Sequence, residues 1–173
     1  GFRSKIWTRT DDVRCGFIPQ VFEKNFDFQQ YVDFVLDVPL LFVIDGDGNY
    51  QEAPRMTFRQ LMMQRDDLTL QEFETHLSSI FTFARAKNYI EIRTADSLPE
   101  DLLFAVPAFW KGICYDASVR QQILSWCEDW TYEEVSALAL QISREGLQQE
   151  FRGTKVLEYA RELLSMSLEG LQN

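Results

Sequence analysis

The chain has 173 residues, 46% hydrophobic and 14% aromatic: enough for one domain with a sizeable core, and too apolar for a disordered segment. A formal net charge of −10, from 17 Lys and Arg against 27 Asp and Glu, argues against a nucleic-acid-binding surface. No apolar run is long enough to span a membrane, no signal peptide is visible, and Cys15, Cys114 and Cys127 form neither a disulfide framework nor a metal-ligand pattern. A reducing, cytoplasmic setting is therefore expected.

Residues 2–8 read as a strand, although Phe2, Lys5 and Trp7 fit alternation badly. A polar turn follows over 10–16, then a short apolar piece to Val21. Tyr31, Phe34, Val35 and Val38 recur at helical spacing, so a helix is expected over 28–38, ended by Pro39. Leu40 to Ile44 reads as a buried strand. Asp45-Gly46-Asp47-Gly48 turns it back into a second strand from Tyr50. That turn lacks the remaining oxygen ligands of a calcium loop.

A short helix is expected over 57–63. Thr69 and Glu72 form a capping box before the stripe Leu70, Phe73, Leu77, Ile80 and Phe81. His76, the sole histidine, lies close to that stripe and reads as a packing residue. No partner nucleophile supports a catalytic role for it. Residues 98–115 predict a helix kinked or restarted near Pro107. Asp116 caps the next helix, and Thr131 with Glu134 opens another that stops at Gly146. A last helix from about Thr154 carries Val156, Ala160, Leu163, Leu164, Leu168 and Leu171 as its stripe. With no repeat and no linker, the expectation is a single domain over 1–173, of α+β class with a helical C-terminal third.

The stretch Lys87 to Asp96 carries the chemistry. Alternation places Ile90 and Ile92 on a face that wants a core, and Lys87, Tyr89, Glu91 and Arg93 on the other. Glu91 and Arg93 stand about 7 Å apart along a strand, a spacing suited to grasping a metal ion and a phosphate of one ligand. The same pattern also describes a solvated strand face with a loose Glu–Arg pair.

Several words occur here in a characteristic order. They are Arg3-Ser4-Lys5-Ile6-Trp7-Thr8, Arg14-Cys15-Gly16, Leu36-Asp37-Val38-Pro39, Thr57-Phe58-Arg59 and His76-Leu77-Ser78. Arg85, Lys87, Tyr89-Ile90-Glu91-Ile92-Arg93, Ala95-Asp96 and Pro107-Ala108-Phe109-Trp110-Lys111-Gly112 follow. Over roughly residues 1–135 the chain resembles the glutamate–cysteine ligases of plants and many bacteria.

The resemblance implies part of a glutamine synthetase-like fold, an antiparallel sheet with helices outside. It implies ATP- and Mg²⁺-dependent joining of L-glutamate to L-cysteine through an acyl phosphate, the first step of glutathione biosynthesis. By position, Arg3 and Arg93 are the catalytic candidates. Arg3, Tyr89 and Lys87 are the substrate-binding candidates, and Glu91 is the metal ligand.

Members of the family are several hundred residues long, and this chain opens at Gly1 without an initiating Met. The expectation is a C-terminal portion, inactive alone, whose missing N-terminal half is its partner. The surplus of Phe and Trp fits a core face left open. Arg9, Leu41 and Thr94 depart from the family's pattern. They support an alternative, a non-catalytic scaffold that keeps the ligase fold.

Overall fold

The computed structural model describes residues 2–7, 9–45 and 47–173, the side chains of residues 2–4 excepted. The chain groups into two compact units, one of residues 1–8 with 95–173 and the other of residues 9–94.

The first element is a helix, α1 (Phe2–Trp7), where a strand was expected. Phe2 and Ile6, like Arg3 and Trp7, are spaced four apart, and the segment has no clean period-two alternation to hold a strand.

The unit over 9–94 starts with β1 (Cys15–Gly16) and a 3₁₀ turn over Pro19–Phe22. Helix α2 (Phe28–Asp37) begins at a capping box in which Asp27 and Gln30 satisfy each other's backbone N–H groups. Strands β2 (Phe42–Ile44) and β3 (Tyr50–Glu52) make the expected antiparallel hairpin. The Asp45 carboxylate organises its turn by accepting from the Asp47 and Asn49 N–H groups and from Gln51 Nε2. Strand β2 is half-buried rather than buried, and the apolar contact on this side is carried by Leu40 against Phe58 and Leu61.

Helices α3 (Phe58–Met62) and α4 (Leu70–Ser78) open at the Thr57–Gln60 and Thr69–Glu72 capping boxes. Strand β4 (Phe81–Thr82) runs parallel to β1, and β5 (Ala84–Ala86) pairs antiparallel with β6 (Ile90–Ile92).

The core of this unit is Val35, Val38 and Ile80, packed with Ile18, Tyr31 and Leu77. His76 is 4% exposed. Its Nε2 lies 2.8 Å from the Val35 carbonyl and its ring stacks on Phe58 at 5.0 Å, the packing role expected of it. A carbonyl can only accept, so Nε2 carries the proton. Arg14 is buried and ties three segments together through Asp11 Oδ2 (2.6 Å), Ser79 Oγ (3.2 Å) and the Pro39 carbonyl (2.9 Å).

The other unit is mainly helical. A 3₁₀ turn (Glu100–Leu102) precedes α5 (Ala105–Tyr115), so Pro107 sits in the first turn of α5, where its missing N–H costs nothing. Helix α6 (Ala117–Cys127) is capped by Asp116, and α7 (Tyr132–Glu145) runs from the Thr131–Glu134 capping box to Gly146 at φ +64°. The hairpin β7 (Glu150–Phe151) and β8 (Thr154–Lys155) turns through Arg152 and Gly153, both at positive φ, as a two-residue turn requires. Trp126, Trp130, Phe151 and Tyr159 pack into one aromatic cluster beneath it.

Helix α8 (Val156–Gln172) packs along α5, and the expected stripe is covered only in part, with Val156, Ala160 and Leu163 half-buried. Leu164 and Leu168 are 60% and 58% exposed. Ser167 and Gly170 face α5 instead, and Ser167 Oγ donates to the Phe109 carbonyl at 2.9 Å. A β-carbon on Gly112 would strike the Ser167 carbonyl, and one on Gly170 the Gly112 carbonyl. Small residues let the two backbones touch, which leucines at the crossing would prevent.

The fold is thus α+β, with short two-stranded ladders among the described residues. No single helix among them is long and apolar enough to cross a membrane.

Candidate functional site

Arg85, Glu91 and Arg93 form one connected cluster on the β5–β6 hairpin. The register places Arg85 directly opposite Glu91, and the three-residue loop Lys87-Asn88-Tyr89 closes the hairpin. Ala84 and Ala86 face Ile92 and Ile90 across the ladder, so the isoleucine face meets only small partners. Ile90 is 63% exposed, which corrects the expectation that it enters a core. It borders a shallow apolar groove with Ile18, Val21, Phe26 and Phe28.

Glu91 is held from both sides. Its Oε2 accepts a forked pair from Arg85, Nε at 3.0 Å and Nη2 at 2.6 Å. Its Oε1 accepts from Arg93 Nη1 at 2.8 Å. The Arg85 hydrogen bonds, with the Arg93 charge behind them, keep the Glu91 carboxyl below the usual glutamate range despite partial burial. Arg93 anchors its backbone N–H on the Phe83 carbonyl and lays its guanidinium over the Phe81 ring, 5.6 Å from the centroid. Two guanidiniums thus converge on one carboxylate in a chain whose total charge is −10.

Lys87 and Tyr89 point elsewhere. Both line a cleft of about 680 Å³ between the hairpin loop, α2 and α4, with Phe28, Tyr31, Phe73 and Glu74. Neither Glu91 nor Arg93 lines it. Lys87 Nζ donates to Ser78 Oγ at 3.0 Å, while the Ser78 carbonyl accepts from Arg85 at 2.8 Å. Ser78 therefore stands between the cleft and the charged cluster. The four residues expected on one face divide between two surfaces because Lys87 and Tyr89 belong to the loop and not to the strand. The Arg3 side chain lies outside the described residues.

Among the described residues no group of three or more His, Cys, Asp or Glu side chains could hold a metal ion. Glu91 brings one carboxylate whose two oxygens already accept from arginine, whereas a magnesium site draws on several oxygens. These residues do not fit a metal centre by themselves. The three thiols are free and half-buried, and burial pushes Cys114 and Cys127 up from the ordinary thiol range.

Arg85 was not assigned a role from sequence. Its signal is visible only once the three-residue loop fixes the register that sets it against Glu91.

A family model, glutamate-cysteine ligase family 2 (GCS2), matches residues 1–171. The match extends past residue 135 into the helical C-terminal third, which carries no motif of its own. Over 98% of its length the chain is 39% identical to a chloroplastic glutamate–cysteine ligase of Solanum lycopersicum and 41% identical to one of Medicago truncatula. It is 40% identical to glutamate–cysteine ligase A of Oryza sativa subsp. indica. The chain spans 34%, 34% and 36% of these relatives, about a third of their length. Relatives named as chloroplastic overturn the expectation of a cytoplasmic setting, which rested on cysteine spacing alone and carries no address. Both the full-length family match and the identity over nearly every residue lead to one conclusion: the chain belongs to glutamate-cysteine ligase family 2.

Proposed function

We propose that this chain is part of an ATP-dependent glutamate–cysteine ligase and contributes the Arg85–Glu91–Arg93 cluster to its phosphoryl-transfer site. The observation that carries the reading is the cluster itself: two fixed guanidiniums, Arg85 buried and Arg93 part-buried, that converge on Glu91 at the β5–β6 hairpin of a chain from this family.

In the proposed reaction a γ-carboxylate oxygen of L-glutamate attacks the terminal phosphorus of ATP and ADP leaves. The amine of L-cysteine then attacks the γ-carbonyl carbon, and inorganic phosphate departs with the bridging oxygen. The product is γ-glutamylcysteine, the first intermediate on the route to glutathione. Arg93 would stabilise the charge that develops on the transferred phosphoryl group, and a preorganised donor in a partly dry site suits that role. Arg3 would bind the glutamate, and Lys87 and Tyr89 would receive substrate from their cleft. Glu91 would bring one oxygen donor to Mg²⁺. The other ligands, and a sheet of glutamine synthetase-like form, would come from the portion of the relatives' length with no counterpart here.

The test uses glutamate labelled with ¹⁸O in its γ-carboxylate and the full-length polypeptide that carries this chain. One labelled oxygen in the released phosphate is the expected result. Unlabelled phosphate would overturn the acyl-phosphate route.

A further inference from the structure

We propose that Arg85 is a positioning residue, holding Glu91 so that Glu91 in turn aims Arg93. Its catalytic consequence rests on the ligase reading above, whereas its geometry does not.

Arg85 is 8% exposed, which is rare for an arginine unless its donors are satisfied. Nη1 donates to the Ser78 carbonyl at 2.8 Å and the Ile80 carbonyl at 3.0 Å. These two oxygens lie at and just beyond the end of α4, where helical carbonyls lack partners. Nε and Nη2 then fork onto Glu91 Oε2. Four of the five guanidinium N–H groups are thereby engaged. The planar group joins the helix end to the strand as a rigid bracket. The bracket fixes Oε2, so the rotation of the carboxylate is fixed, and Oε1 is presented to Arg93 Nη1. Oε1 accepts one hydrogen bond in this cluster against two at Oε2, so it keeps the spare lone pair. A lysine cannot reproduce the bracket, because one ammonium does not span two carbonyls and a carboxylate in a plane.

A purely structural role makes a different statement. If Arg85 only closes the end of α4, its loss lowers stability and leaves Arg93 as it was.

The experiment is NMR of the full-length polypeptide that carries this chain, labelled with ¹⁵N-arginine and read at the Nε–H signal of Arg93. In the wild-type chain this signal is dispersed, with a high heteronuclear NOE. In Arg85→Lys and Arg85→Met it shifts towards the free-arginine position and the NOE falls. A folded Arg85→Lys chain with the Arg93 signal unchanged overturns the proposal. Arg85→Met leaves carbonyls unpaired and invites unfolding, so Glu91→Gln is the second variant. It keeps the Arg85 bonds to α4 and removes the charge between the two arginines. Loss of the Arg93 signal position there supports the bracket, and an unchanged signal overturns it.

In the full-length ligase, Arg85→Lys should lower kcat about tenfold to a hundredfold, with KM for glutamate nearly unchanged, the signature of misplacement rather than lost binding. An unchanged kcat overturns the catalytic consequence. An inactive wild-type enzyme counts against the ligase reading alone, since the NMR result decides the role of Arg85 without turnover.

Discussion

Arg85 and Glu91 face each other across the β5–β6 ladder, and two hydrogen bonds of 3.0 and 2.6 Å join one guanidinium to one carboxylate oxygen. This pair turns a short hairpin into a fixed support for Arg93. If Arg93 stabilises the transferred phosphoryl group, Arg93→Ala in the full-length enzyme loses about 3–4 kcal/mol of transition-state stabilisation. Steady-state kinetics should then show kcat lower by roughly two to three orders of magnitude. Unchanged turnover would remove Arg93 from the site.

His76 makes stability depend on pH. Burial, offset by the Val35 hydrogen bond and aided by the nearby Arg14 charge, lowers its pKa from the ordinary histidine value of 6.5. The unfolded chain therefore binds the proton more readily than the folded one. The stability His76 contributes is fully present above pH 6.5 and is lost as pH falls towards the lowered folded value, by at most about 1.4 kcal/mol per pH unit. Urea midpoints between pH 7.5 and pH 5 should fall for the wild type. His76→Gln, which keeps an N–H donor and does not titrate, should flatten that slope. The paired carboxylates Asp11 and Glu72, whose pKa values are lowered, lose their contribution below about pH 4.5, outside this window.

Gly112 and Gly170 test the α5–α8 crossing. Alanine is the better helix former by about 1 kcal/mol. At Gly112, however, a β-carbon meets the backbone carbonyl of Ser167, which cannot rotate away. Gly112→Ala should therefore destabilise, by about 1–3 kcal/mol of overpacking that exceeds the propensity gain. Thermal melts by circular dichroism would read it, and a raised melting temperature would contradict the close crossing.

Thr69 anchors α4, whose far end carries the Ser78 carbonyl used by Arg85. Thr69→Ala removes the cap to the Glu72 N–H and should cost about 1 kcal/mol. Chemical denaturation checks it.

The capping boxes at Thr69 and Thr131, the Asp116 cap and the hairpin at Asp45 were legible in sequence because each is a local rule with a fixed spacing. The face of α8 was not. Period alone sees Leu164 and Leu168 as core, while the crossing with α5 selects the small residues Ser167 and Gly170. Ile90 failed for a similar reason, since alternation gives a face but not what covers it. In the candidate site, Glu91 and Arg93 could be read together because they are two apart in sequence, Glu91 in β6 and Arg93 just beyond its end. Lys87 and Tyr89 could not be separated from them without the loop, nor Arg85 joined to them without the register. The buried Arg14 gave no signal, because its three acceptors are brought together only by folding.

The most direct test of the ligase reading is phosphate release from ATP with Mg²⁺ and glutamate, measured with and without cysteine. It should be run on this chain and on the full-length polypeptide that carries it. Cysteine-dependent release by the full-length polypeptide and none by the chain alone is the predicted result. No release by a folded full-length polypeptide would contradict the account and leave a non-catalytic member of the family.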